Sequence, residues 1–177
     1  MLFVCTGNIC RSPTAERLAL AYAAQRDISG VRASSAGTRA LVGQPIHHEA
    51  ALVLEELGGD ASGFAARRLG TRTLAGADLV LGMTKAHRDA ILELAPQKLH
   101  RVFTLAEASR LASDGKAKAV ADLGELRPQL SGDDIPDIAD PIGQNADVFA
   151  MVGFQIARLL PPILELCRDS GDSDVGR

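Results

Sequence analysis

Four short apolar runs, separated by stretches of helical length, constrain this chain more than any other feature. They are "LFV" (Leu2 to Val4), "VRASSAG" (Val31 to Gly37), "ADLVLGM" (Ala77 to Met83) and "LHRVFTL" (Leu99 to Leu105). After the first run, "TAERLALAYAAQR" is rich in helix formers and should end near Arg26. "IHHEAALVLEELGG" (Ile46 to Gly59) places apolar residues at helical spacing and closes on glycines. "KAHRDAILELAP" reads as a helix stopped by Pro96. Parallel strands need crossovers of a dozen or more residues, usually helical. The pattern therefore predicts an α/β fold: a single domain, with a four-stranded parallel sheet and helices on both faces. In such sheets ligands bind beyond the carboxyl ends of the strands, near a switch in strand order. The loop after the first strand is then the first place to look for a site.

The remaining segments are less regular. Residues 106–130 are polar and Ala-rich, mostly helical or irregular, and are the least legible stretch. "SGDDIPDIADPIGQNAD" carries five aspartates and two prolines in seventeen residues, the composition of a loop. "VFAMVGFQIARLLPPILELC" reads as a final amphipathic helix, kinked or interrupted at Pro161-Pro162. Residues 1–167 form the expected domain, and 168–177 a flexible tail. Charges or turn residues interrupt each apolar run before a membrane span of about 18 residues. The first residues lack the three-part pattern of a secretory signal. Three cysteines make a poor disulfide framework, so the expected setting is reducing and cytoplasmic, without membrane attachment. A net charge of −3 argues against a nucleic-acid surface. No oligomeric state follows from these features.

The loop itself, "CTGNICRSP" (Cys5 to Pro13), carries the chemistry. Ser12 is placed as the helix N-cap, with Pro13 at the first helical position. A loop curled at a helix start points backbone N–H groups and the positive end of the helix at an anion. Arg11 can grip two anion oxygens with its planar fork. The same field favours a reactive thiolate on Cys5, and Ser12 can donate a hydrogen bond to that sulfur. Gly7 allows close backbone approach, and Asn8 tolerates a left-handed backbone. A bare Cys-x5-Arg occurs by chance in about one chain in five of this composition; the preceding strand and following helix give it meaning. His47 and His48 are adjacent and His87 and His100 isolated, so no metal-ligand spacing exists, and surface or supporting roles are expected. Cys167 is expected to be structural.

"CTGNICRSPTAE" resembles the signature of the low-molecular-weight protein tyrosine phosphatases. "SSAGT" (Ser34 to Thr38), "GQP" (Gly43 to Pro45), "ADLVLGM" and Asp140-Pro141 follow in the order that family uses. The resemblance implies that Thr6, Gly7, Asn8, Ile9, Cys10, Arg11 and Ser12 bind phosphate, and that Cys5 attacks phosphorus to form a phosphocysteine. It implies Arg11 as transition-state stabiliser, Asp140 as general acid and then base, and Asn8, Ser12 and Ser35 as loop supports. It implies no metal or cofactor. Asp133, Asp134 and Asp137 share the loop with Asp140; Asp140 is favoured because only it precedes a proline. Cys10 is either a redox partner of Cys5 or a small packing residue.

The chain also departs from that family. The aromatic cleft walls are replaced by Leu41 and Ile142, and a supporting histidine by Phe64. A phosphoarginine-specific relative has a smaller polar residue where Ile9 stands, so Ile9 favours an aryl leaving group. The expected substrate is phosphotyrosine in a protein, or a small aryl phosphate. The alternatives are an arsenate reductase using an external thiol, and a weakly catalytic module that binds phosphoproteins.

Overall fold

The computed structural model describes residues 1–130 and 135–168. Strands β1 (Leu2–Cys5), β2 (Ser34–Gly37), β3 (Val80–Gly82) and β4 (Val102–Thr104) form one parallel sheet of order β2-β1-β3-β4. Helices α1 (Arg11–Gln25), α2 (His48–Glu56), α3 (Thr71–Ala75), α4 (Lys85–Leu94), α5 (Leu105–Ser113), α6 (Leu123–Leu126) and α7 (Ala146–Glu165) connect and cover it. The expected α/β architecture is therefore what forms.

Alternation along each strand divides the core in two. Phe3, Cys5, Leu81 and Phe103 face α1, α2, α5 and α7, whereas Leu2, Val4, Val80 and Val102 face α3 and α4. Strand β1 lies at the centre, with β2 on one side and β3 on the other. Strand order reverses there, so the loop after β1 opens at the switch point.

Three local readings need correction. Helix α1 starts at Arg11, and Cys10 occupies the N-cap position without a side-chain cap. Ser12 does not cap because its hydroxyl is engaged by Cys5 and Asn8. Helix α7 runs through Pro161 and Pro162 to Glu165 without interruption. Leu160, Ile163 and Leu164 around the prolines are wholly buried, and this packing compensates for the two missing N–H donors. Helix α7 is also long and apolar enough to cross a membrane, but here its apolar face packs against α1, α2 and α5. Helix α3 has no counterpart in the sequence reading.

Residues 105–130 cover the β4 edge of the sheet. Thr104 and Glu107 cap α5 reciprocally: the Glu107 amide donates to Thr104 Oγ1 at 3.0 Å and the Thr104 amide to Glu107 Oε2 at 2.8 Å. The Arg127 guanidinium lies 4.0 Å over the Phe103 ring.

Two close approaches demand glycine. A Cβ on Gly153 of α7 would stand 2.3 Å from Val53 Cγ1 of α2, so these helices meet only without a side chain there. A Cβ on Gly37 would stand 2.5 Å from the Thr6 carbonyl oxygen, and that obstacle is backbone. We expect Gly37→Ala to push the β1 loop from its seat and cost about 1–3 kcal/mol, read as a lower midpoint in urea unfolding together with weaker binding of inorganic phosphate. An unchanged midpoint would show that the contact relaxes without consequence.

Candidate active site

The loop from Thr6 to Cys10 is held from outside by its carbonyl oxygens. The oxygens of Cys5, Thr6, Gly7 and Ile9 accept from the amides of Thr38, Arg39, Leu41 and His47, at 2.9, 2.9, 2.9 and 2.7 Å. With these carbonyls turned outward, the amides of Gly7, Asn8, Ile9 and Cys10 have no partner among the described residues. Successive free N–H groups running into the start of α1 form an anion cradle.

Asn8 locks this shape. Its backbone is left-handed (φ 55), and its buried side chain connects four segments. Oδ1 accepts from the Arg67 amide at 2.8 Å, so Nδ2 is the donor, reaching Ser12 Oγ and Ser35 Oγ at 2.9 Å each. The Ser35 hydroxyl in turn donates to Glu16 Oε2 at 2.6 Å. Because Ser12 Oγ accepts from Asn8, its own proton is free for Cys5 Sγ, 2.9 Å away. Asn8, Ser12 and Ser35 thus stand together as the sequence reading expected. Glu16 and Arg67 complete the network without any sequence signal, since each acts across the fold.

Arg11 is buried, and two acceptors hold its guanidinium. It donates to the Ile138 carbonyl at 3.0 Å and to Asp140 Oδ2 at 2.6 Å. The Asp140 side chain is 49% exposed, so the pair opens to solvent on the carboxylate side. Asp137 instead accepts from the Lys85 amide at 2.8 Å, at the start of α4. Asp133 and Asp134 lie outside the described residues, as does the expected tail from residue 169. Cys5 and Cys10 are both buried, and both are free thiols. Burial, and next the neighbouring Cys5, push the Cys10 thiol up to about 12, with Arg11 working in the opposite direction. Cys10 is therefore protonated at neutral pH.

His87 is a loop neighbour that sequence reasoning treated as isolated. Its Nε2 lies 2.9 Å from Thr6 Oγ1 and its Nδ1 2.9 Å from Thr84 Oγ1. Its position on the first turn of α4, after the Thr84 N-cap, was the available signal. Phe64, standing where a supporting histidine was looked for, lies beneath the Arg17 guanidinium at 5.7 Å. His47 stacks on Phe149 with ring centroids 4.9 Å apart. Leu41 and Ile142 are both exposed. Among the described residues no three His, Cys, Asp or Glu side chains come together as a metal site.

A thiol beneath a cradle of free amides, beside a guanidinium on a parallel sheet, defines the class of cysteine-dependent enzymes that act on phosphate-like anions. Residues 1–122 match the family model described as "Low molecular weight phosphotyrosine protein phosphatase". The chain belongs to that family. It is 32% identical over 165 residues to the protein-arginine-phosphatase of Geobacillus stearothermophilus, covering 93% of each chain. It is 39% identical over 103 residues to the low molecular weight protein-tyrosine-phosphatase Wzb of Escherichia coli K12, covering 58% of this chain and 67% of that protein. The crystal structure of a low molecular weight protein tyrosine phosphatase from T. tengcongensis superposes with a TM-score of 0.74 at 32% identity, covering 93% of this chain and 96% of that one.

The buried His87 ring supplies a measurable pH effect. Burial first, and then the Arg11 charge, lower it from its ordinary 6.5 to about 4, while Asp140 and Asp137 offset part of this. Between those values the unfolded chain binds a proton that the folded chain refuses, so stability falls as pH falls from about 6.5 to about 4. We expect His87→Gln to lose stability at neutral pH but to show a shallower decline across that window, measured as urea midpoints at successive pH values. Parallel declines in the two proteins would contradict the assignment of a neutral His87.

Proposed function

We propose that this chain hydrolyses phosphotyrosine in proteins, or related aryl phosphates, through a phosphocysteine on Cys5. The observation that carries the reading is the convergence of Cys5 Sγ, Arg11 and Asp140 around one cradle of free amides. The phosphoryl group enters that cradle, where the amides from Gly7 to Cys10 and the helix start receive its oxygens. Arg11 keeps its bond to the Ile138 carbonyl and turns its remaining donors from Asp140 to the phosphoryl oxygens. Cys5 attacks phosphorus in line, and the bond to the leaving oxygen breaks. Asp140, released from Arg11, takes up the proton that the Cys5 thiol gives up and delivers it to that oxygen. Asp140 then takes a proton from the water that attacks the phosphocysteine, and the thiolate leaves with a hydrogen bond from Ser12. Positioning and charge stabilisation supply most of the rate, as phosphoryl transfer requires.

Leu41, Val42 and Ile142 expose apolar surface on the segments beside the cradle, and Ile9 adds more within the loop. These surfaces suit a phenyl ring. A second reading, hydrolysis of phosphoarginine, is favoured by the relative named a protein-arginine-phosphatase, which matches along 93% of both chains. Ile9 supports the aryl group, because an apolar side chain offers a guanidinium no acceptor.

Steady-state kinetics without metal, with chelator and reductant present, test the mechanism. Cys5→Ser should lose at least a thousandfold in kcat. Asp140→Asn should lose about a hundredfold or more on a phosphotyrosine peptide, and less on para-nitrophenyl phosphate, whose leaving group needs little protonation. The phosphotyrosine peptide should exceed a phosphoarginine peptide in kcat/KM. The reverse order would transfer the substrate to arginine, and full activity in Cys5→Ser would end the phosphocysteine mechanism.

A further inference from the structure

Beside the cradle, and outside the machinery described so far, lies a groove of about 570 Å³. Ile9, Leu41, Pro45, Ile46, His47 and Ala51 line it. Two of these residues, Ile9 and Leu41, also border the cleft proposed to hold the phosphorylated ring, so groove and cleft share a wall. The floor is fixed: the His47 amide donates to the Ile9 carbonyl at 2.7 Å, and the His47 ring stacks on Phe149. The groove is open: Leu41 is 52% exposed, and the polar side chains of Gln44 and His48 share the lining. Val42, next in the chain and 63% exposed, extends the apolar surface beside it.

Charge selects the direction in which a bound chain would leave the cleft. None of the residues lining the groove is Asp or Glu, and Arg39 belongs to the loop that carries Leu41. The segment carrying Ile142 brings Asp137 and Asp140, which repel an anionic phosphopeptide. A chain seated by its phosphate therefore meets a largely apolar surface on one side, with Glu49 at its α2 end, and the Asp137 and Asp140 carboxylates on the other.

We propose that this groove is a docking site for an apolar side chain flanking the phosphorylated tyrosine of a peptide substrate. The inference rests on the phosphatase reading and names the substrate feature that the cleft alone does not select. Ile9 and Leu41 hold the ring on one side and the flanking side chain on the other. Ala51, on the first turns of α2, lines the groove and takes no part in the catalytic steps. A long charged side chain there fills the groove while retaining good helix propensity.

The test compares phosphotyrosine peptides that carry Leu or Ser beside the phosphotyrosine, placed on either side, in wild type and Ala51→Arg. Wild type should favour the Leu peptide on one side about fivefold or more in kcat/KM, the discrimination that burial of one small apolar group provides. Ala51→Arg should abolish that preference and leave para-nitrophenyl phosphate turnover unchanged, which also shows that the variant is folded. Gln44→Arg, on the same groove, should act in the same way. Equal rates for both peptides in wild type, or a preference that survives both variants, would overturn the proposal. Binding of the same peptides to Cys5→Ser protein reads the groove without turnover. Failed hydrolysis with an intact binding preference would count against the phosphatase reading alone, and absence of the binding preference against the groove.

Discussion

The structure depends on which way one short stretch of backbone faces. Between Cys5 and Cys10 the chain must turn its carbonyls away from a common centre, an arrangement that no helix or sheet provides by itself. Four hydrogen bonds from the 38–47 segment hold those oxygens outside. Asn8 supplies the left-handed residue that lets the loop close. An unpaired buried backbone donor is costly, and here several such donors are kept together and open. The rest of the sheet makes that local disadvantage tolerable by fixing both ends of the loop in β1 and α1.

The first turn of α4 and the two residues before it join the two halves of the site. His87 contacts Thr6 in the loop, while the Lys85 amide holds Asp137 and the Met83 carbonyl receives the Ile138 amide at 3.0 Å. Ile138 then receives Arg11. The segment bearing Asp140 is thus tied both to the Arg11 side chain and to the helix that supports the loop. Cys5 and Asp140 lie far apart in the chain, yet the segments that carry them both rest on one turn. Burial of His87 in its neutral form belongs to the same arrangement, because a second positive charge beside Arg11 would compete for the carboxylates.

The strands, the crossovers and the cradle were legible because they are written in neighbouring residues. Apolar runs, a Gly-Asn turn and Ser-Pro before helix formers state their structure locally. What escaped was decided across the fold. Ser12 has the composition of an N-cap, but Asn8 and Cys5 claim its hydroxyl, and the helix begins earlier. Proline argues for a break in α7, but wholly buried neighbours hold the helix together. Helix α3 is too short to display a period, and Thr104 with Glu107 forms a capping box where the expected fourth strand meets the segment read only as helical or irregular. His87, Glu16 and Arg67 act on partners between nineteen and eighty-one positions away. No window of sequence contains such pairs.

The reach of Asn8 has a consequence for how this protein becomes competent. Its side chain binds helix α1 through Ser12, strand β2 through Ser35 and the Arg67 segment that runs beside β2, while the loop itself belongs to β1. Ser12 stands four residues away, but Ser35 and Arg67 meet Asn8 only where β2 is paired with β1. A sheet opened at β2 therefore leaves Asn8 with one of its three side-chain partners, and the loop without the contacts that set its shape.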